Sequence, residues 1–390
     1  MRILFASGPG LGHLLPLVPL ASAARDAGHD VVVAAGAGLA TVLGSAGLRH
    51  LPAGPATLGD AIAPFPELAD LVGPERAKFM IRHVFGQVVA EAMASAVVAL
   101  AADWRPDVVV HEDMEFGTWI AAERLGIPSV SVQVVAWRPR VRGTAAPSLN
   151  PLREAHGLAV DPELRGLYGA LFLTTRPPAL RDPAAPMPEP LAELRPEPEG
   201  DQVPGGSEAD HASWLNGAPR RRPRVAVTLG TVNAHRHDIL RPILDGLAGD
   251  DIEVVVGLGA DPADLGDVAA NIRVERYVPM SRLLPTSDAV IFHAGSGTML
   301  SALAAGIPLV MVPLAADQPE NAERGAAAGV GRVVHPAELT PDAARRVVDD
   351  VLGDPRYRDR ARAVAIEIAA MPGPAEAVER IEQVVEARTA

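Results

Sequence analysis

Residues 292–331, FHAGSGTMLSALAAGIPLVMVPLAADQPENAERGAAAGVG, hold the densest set of groups in this chain that could do chemistry. An apolar strand over 289–292 runs into a glycine-rich turn over 293–297 and a helix over 298–305 that Gly306 stops. Such a turn aims unpaired backbone N–H groups outward at the positive end of a helix dipole, which makes a seat for phosphate. A short strand over 308–312 follows, then Pro313, Asp317, Gln318 and Asn321. These polar side chains fall at the carboxyl edge of the sheet, where open α/β folds bind ligands. A second glycine-rich turn, Gly8-Pro9-Gly10-Leu11-Gly12-His13, has the outline of a dinucleotide fingerprint. It fails in detail. The third glycine position is His13, and the second strand ends Ala34-Ala35-Gly36 rather than in the acid that binds a ribose diol. An NAD enzyme is therefore disfavoured.

These turns need strands and helices to hold them. Short apolar strands are predicted at 3–6, 31–34, 108–110 and 129–135, separated by helices at 14–27, 39–45, 75–102 and 118–125. Near-continuous apolar strands alternating with helices indicate a parallel, doubly wound sheet. From 195 to 223 the composition turns to Pro, Glu, Gly and Arg, with Pro204-Gly205-Gly206 in the middle, which reads as a linker. The alternation then restarts at 225–227 and continues through 254–256, 273–274, 289–292 and 309–312. The expected organisation is two Rossmann-like domains, 1–205 and 206–373, with parallel sheets facing a central cleft. A final amphipathic helix within 374–390 follows a Pro-Gly-Pro break.

A chain of 390 residues with 48% hydrophobic content has ample material for two cores. Its net charge of −13, with no basic stripe, argues against a general nucleic-acid partner. The absence of cysteine excludes disulfides, thiolate metal sites and thiol catalysis. The start, residues 1–7, reads as a strand rather than a signal peptide, and the uninterrupted apolar runs look too short to cross a bilayer. A cytoplasmic chain without a membrane partner, monomeric or homodimeric, is expected.

Taken together, the segment 292–331, the turn Gly8–His13 with GHLLPLVPLA, and Val227-Thr228-Leu229-Gly230-Thr231 resemble the GT-B glycosyltransferases. The likeness is to the bacterial natural-product members of the inverting, metal-independent superfamily. It implies an acceptor-binding first domain, a nucleotide-sugar-binding second domain, and a last helix that packs back on the first. By resemblance to the GH-x-x-P segment, His13 is the catalytic base, and the positive end of its helix favours the neutral imidazole a base requires. Helix capping by His13 is the alternative. The partner acid is expected just after the strand 108–110, at Glu112 where relatives commonly carry Asp, with Asp113 next to it. Which of the two meets His13 stays open. A metal site in His111-Glu112-Asp113-Met114-Glu115 is disfavoured because successive strand residues alternate faces. A solvated acidic loop is the alternative for Asp113 and Glu115.

The same resemblance implies a donor site. Thr228 or Thr231 would give a hydroxyl to the β-phosphate, and Gly230 would permit close approach. Main-chain groups around Tyr277 and Val278 would meet the pyrimidine. His293, Gly295, Ser296, Gly297 and Thr298 would cradle the pyrophosphate, and Asp317 and Gln318 would contact sugar hydroxyls. Where relatives that use ribonucleotide sugars carry a glutamate, this chain has Ser301. A carboxylate facing a deoxyribose would be left underpaired, so Ser301 tilts the expected donor from a UDP-sugar toward a dTDP-sugar. No resident cofactor or metal is expected; the nucleotide sugar is a co-substrate. Gly10, Gly12, Phe65, Phe79, Phe85 and Trp137, with Met80, are the candidates for a hydrophobic acceptor surface, with core packing as the alternative. The rival functions are a nucleotide-sugar epimerase of the same architecture and a non-catalytic nucleotide-sugar-binding partner protein.

Overall fold

The computed structural model describes residues 1–197, 215, 221–230, 233, 235–249 and 251–389. The boundary expected at 205/206 and Thr231 lie outside them. Two compact units form, the first from Met1–Arg176, Asp182–Glu197 and Met371–Ala390, the second from Pro177–Arg181 with the described part of Pro198–Ala370.

In the first unit the described strands are β1 (Arg2–Ala6), β2 (Asp30–Ala35), β3 (Arg49–Pro52), β4 (Val108–Glu112), β5 (Ser129–Val132), β6 (Leu171–Thr174) and β7 (Leu191–Glu193). They make one parallel sheet in the order β3-β2-β1-β4-β5-β6-β7. Alternate residues feed two cores. Leu4, Val32 and Val109 pack on one face; Ile3, Phe5, Val108 and Val110 pack on the other. Burial on both faces explains why these strands are continuously apolar. The order reverses at β1, whose neighbours are β2 and β4. Helices to its two sides leave a crevice there, at the carboxyl ends of β1 and β4. The last helix, Pro374–Thr389, adds Ala377, Val378 and Ile381 to the core containing Leu14, Leu17 and Val18.

The second unit repeats the plan with β8 (Arg224–Thr228), β9 (Glu253–Gly257), β10 (Ile272–Glu275), β11 (Ala289–Phe292), β12 (Leu309–Met311) and β13 (Gly331–Val333). Its parallel order is β10-β9-β8-β11-β12-β13, so the reversal falls between β8 and β11. Both units are thus Rossmann-like, with one switch point each.

Several expectations change. A continuous helix spans Gly73–Asp103 and is long and apolar enough, by length and composition, to cross a membrane, although the apolar runs looked too short for that. Its residues Ile81, Val84, Phe85, Val89, Met93 and Val97 are buried in the first unit's core. A helix at Val141–Ala155 went unread because Pro147 and Pro151 interrupt its pattern. The strand expected at 129–135 ends at Val132.

Candidate active site

At the first switch point, β1 runs out through Ser7, Gly8 and Pro9 into a short helix, Leu11–Leu14, whose N-cap is Gly10 in extended conformation. His13 therefore stands directly above the carboxyl end of β1, and Glu112, the last residue of β4, stands beside it. The Glu112 Oε1 accepts from His13 Nδ1 at 2.9 Å and from the Gly8 amide at 3.2 Å, while Oε2 accepts from the Met114 amide at 2.7 Å. Three donors satisfy the oxygens of a fully buried side chain and hold it still. A Cβ at residue 8 would lie 3.0 Å from Glu112 Oε1, tight enough that the carboxylate would have to shift by a few tenths of an ångström. With Nδ1–H given to the carboxylate, Nε2 carries the lone pair of a base on a side chain 21% exposed.

The choice left open between the two acids resolves by contact. Glu112 meets the imidazole, whereas Asp113 Oδ1 accepts from the Val134 amide at 3.0 Å. Burial, and next the charge of Glu112, push the Asp113 carboxyl up to about 8. Nor is Glu115 part of a solvated loop. It is fully buried and accepts from the amides of Gly117, at 2.8 Å, and Thr118, at the start of the helix Gly117–Leu125. Burial raises it to about 7. Glu115 sits where β4 hands over to a helix whose backbone donors need partners, and Asp113 meets a backbone amide just beyond β5, contacts that their charge alone did not reveal.

The residues proposed for an acceptor surface separate into three places. Phe65 and Phe79 pack edge to face at 5.4 Å, with His83 beside them. Trp137 packs on Tyr168 and Phe172 at 5.2 and 5.6 Å. Phe85 is buried in the core against His13, its ring centroid 5.4 Å from the imidazole, and so presents little surface to a ligand. Gly10 is half-buried and Gly12 exposed, both at the start of the His13 helix.

At the second unit's switch point, β11 leads into His293-Ala294-Gly295, and the helix Ser296–Ala304 begins with Gly295 as N-cap and no side chain capping its first amides. First-turn amides of this kind are the donors an anion needs, and Gly297 and Thr298 are half-buried there. Ala294 is buried with a φ of 63°, a left-handed backbone that an alanine adopts only under constraint. The constraint is Asn321, a residue the sequence flagged only as polar. Its Nδ2 donates to the Ala294 carbonyl at 2.9 Å, to Ser296 Oγ at 3.0 Å and to Asp317 Oδ2 at 3.0 Å. Ser296 Oγ also donates to Asp317 Oδ2 at 2.6 Å. Gln318 Oε1 accepts from the amides of Leu314 and Ala315, which fixes the loop and leaves its NH₂ as the group to offer a ligand.

His293 lies over Thr228 and Gly230 at the end of β8. Burial drives its imidazole down to about 4, and its Nδ1 has no partner among the described residues. A neutral imidazole with an unmet buried nitrogen is suited to a ligand's oxygen. Thr228 Oγ1 accepts from the Gly230 amide at 3.2 Å. Val278 is core, so only its main chain is left for a base, with Tyr277 half-buried alongside. Ser301 stands half-buried in the helix that opens at the cradle.

Two Rossmann-like domains, each with its polar cluster at the switch point, make up the GT-B architecture of glycosyltransferases. Among solved structures, the glycosyltransferase VinC in complex with dTDP superposes with a TM-score of 0.80 at 28% identity, covering 99% of this chain and 100% of that one. SnogD from Streptomyces nogalater gives 0.75 at 32% identity, with 99% of each chain covered. The L-demethylnoviosyl transferase of Streptomyces niveus is 33% identical over 96% of both chains. The 4'-demethylrebeccamycin synthase of Lentzea aerocolonigenes is 30% identical over 98% of this chain and 99% of its own. Residues 22–230 match the N-terminal domain, and residues 241–384 the C-terminal domain, described as erythromycin biosynthesis protein CIII-like. The chain belongs to this CIII-like family of bacterial natural-product glycosyltransferases and is itself a glycosyltransferase.

Proposed function

We propose that the chain moves a hexose, most simply a deoxyhexose, from a dTDP-sugar to a hydroxyl of a hydrophobic natural-product acceptor, with inversion, in the cytoplasm. The observation that carries this is the His13–Glu112 pair at 2.9 Å. The acceptor O–H gives its proton to His13 Nε2 as its oxygen bonds to the anomeric carbon. The bond from that carbon to the β-phosphate oxygen breaks, and its electron pair leaves with the diphosphate. Glu112 stabilises the imidazolium, the role a buried carboxylate plays behind any histidine base. The amides at Ser296–Thr298 and the His293 imidazole meet the charge growing on the diphosphate, which needs no metal or other cofactor in this reading.

Two points favour dTDP over UDP. Ser301 stands where a ribose-binding acid would be, and structural relatives were crystallised with thymidine diphosphate. The test is thermal shift with dTDP, UDP and NAD at matched concentration, since a ligand that binds the folded state raises its apparent stability by mass action. The larger shift is expected with dTDP. A shift with UDP alone overturns the donor assignment, and a shift with NAD alone overturns the whole proposal.

A further inference from the structure

The helix Gly73–Asp103 is not α-helical throughout: Met80–Val89 is wound as a π-helix. Such i→i+5 segments are rare and frequent at functional sites, where the wider turn re-aims the side chains it carries. The side chain delivered here is Phe85. Its ring lies against His13 with centroids 5.4 Å apart and planes inclined 32°, while the whole residue is 7% exposed. His13 is thus tied at Nδ1 by Glu112 and packed against the tilted ring of Phe85. Among the titratable groups near it, Glu112 is in contact and the buried Asp113 carboxyl lies at longer range. On the π segment itself Arg82 is exposed, and His83 is engaged with Phe65, Phe79 and Gln87 Oε1.

We propose that Phe85 is a positioning residue for the transfer reaction: its ring holds the His13 imidazole in line with Glu112 and stabilises the imidazolium that forms as the acceptor proton is taken up. This rests on His13 acting as the base. An aromatic face attracts a cation more than a neutral ring, so the stabilisation is larger after proton transfer than before it. An interaction that strengthens only as the reaction proceeds raises kcat, whereas one that merely held the acceptor would appear in the acceptor KM. The ring also keeps water from one side of the His13–Glu112 bond, which strengthens that bond.

The experiment compares Phe85→Leu, close in volume but without a π face, with Phe85→Tyr, which keeps the face. In Phe85→Leu, kcat is expected to fall about 3–10-fold with both KM values little changed. The acid limb of its pH–kcat profile is expected to move to lower pH, because the imidazolium has lost support, and Phe85→Tyr is expected to recover most of both effects. If Phe85→Leu fails to fold, Phe85→Met serves with the same expectation. A raised acceptor KM with an unmoved profile would make Phe85 an acceptor contact and overturn the inference. So would a loss of kcat that follows loss of thermal stability while the profile stays put. His13→Ala is assayed in parallel: normal turnover there removes the base itself, whereas a dead His13→Ala beside an unmoved Phe85→Leu profile removes only the role of Phe85.

Discussion

Glu112 Oε1 lies 2.9 Å from His13 Nδ1, and its carboxylate is also held by the amides of Gly8 and Met114. Every donor around it points at an oxygen, so a side chain with an NH₂ cannot replace it without setting a donor against a donor. Glu112→Gln is therefore expected to lower kcat by up to about 10⁴-fold, the loss seen when the acid behind a histidine base becomes an amide. Nucleotide affinity, measured by calorimetry with dTDP, should be unchanged. Near-normal kcat in this variant would remove the pair from the mechanism.

Asp113 gives the fold a pH dependence. Its ordinary value is 3.8, and in the folded chain burial lifts it to about 8. The folded state thus keeps a proton that the unfolded chain releases. Stability from this group is complete below about pH 4 and is lost as pH rises through 8. Glu115 adds the same sign over 4.5 to about 7. Asp113→Asn retains an oxygen for the Val134 amide and removes the titration. Urea unfolding at pH 5, 6.5 and 8 should show the variant gaining on the parent as pH rises, by on the order of a few kcal/mol at the top. A difference that does not vary with pH would mean that Asp113 is ionised in the folded chain.

Much of this was legible in the sequence because the two switch points are marked by local signals. Short β-branched runs such as Val108–Val110 suit buried strands, and a glycine-rich turn followed by a helix, as at Gly8–His13 and His293–Thr298, presents backbone donors. What was not legible depends on contacts far apart in the chain. Choosing Glu112 over Asp113 required knowing which face of β4's end looks at His13. Phe85 could not be told from a surface aromatic without the π winding of Met80–Val89. The helix Val141–Ala155 hid behind two prolines that tertiary packing tolerates. Asn321 carried no periodic or motif signal, because its role is to bond the turn at Ala294 and Ser296, more than twenty residues away in the chain.

That bond makes a prediction. Asn321 Nδ2 holds the carbonyl of Ala294, whose left-handed backbone shapes the turn before the helix Ser296–Ala304. Asn321→Ala removes the side-chain donor from that buried carbonyl, which costs about 1–3 kcal/mol of stability. Calorimetry should also show weaker dTDP binding, because the turn no longer presents its amides in register. Unchanged affinity in a destabilised variant would mean that the turn is fixed by the helix alone.

The cleanest test of the anion cradle leaves every polar group in place. Gly295 has a φ of −67°, which alanine adopts without strain, yet a Cβ there would sit 2.4 Å from Nε2 of His293. Gly295→Ala must therefore push the imidazole aside while keeping the backbone amides and the helix. If His293 contacts the diphosphate, losing one hydrogen bond to a charged group should weaken dTDP binding about 10–100-fold. Titration calorimetry measures this directly, and His293→Ala should give a similar loss, with little further effect when the two changes are combined. Additive losses would show that alanine at 295 blocks the nucleotide itself, and full affinity in both variants would take His293 out of the donor site.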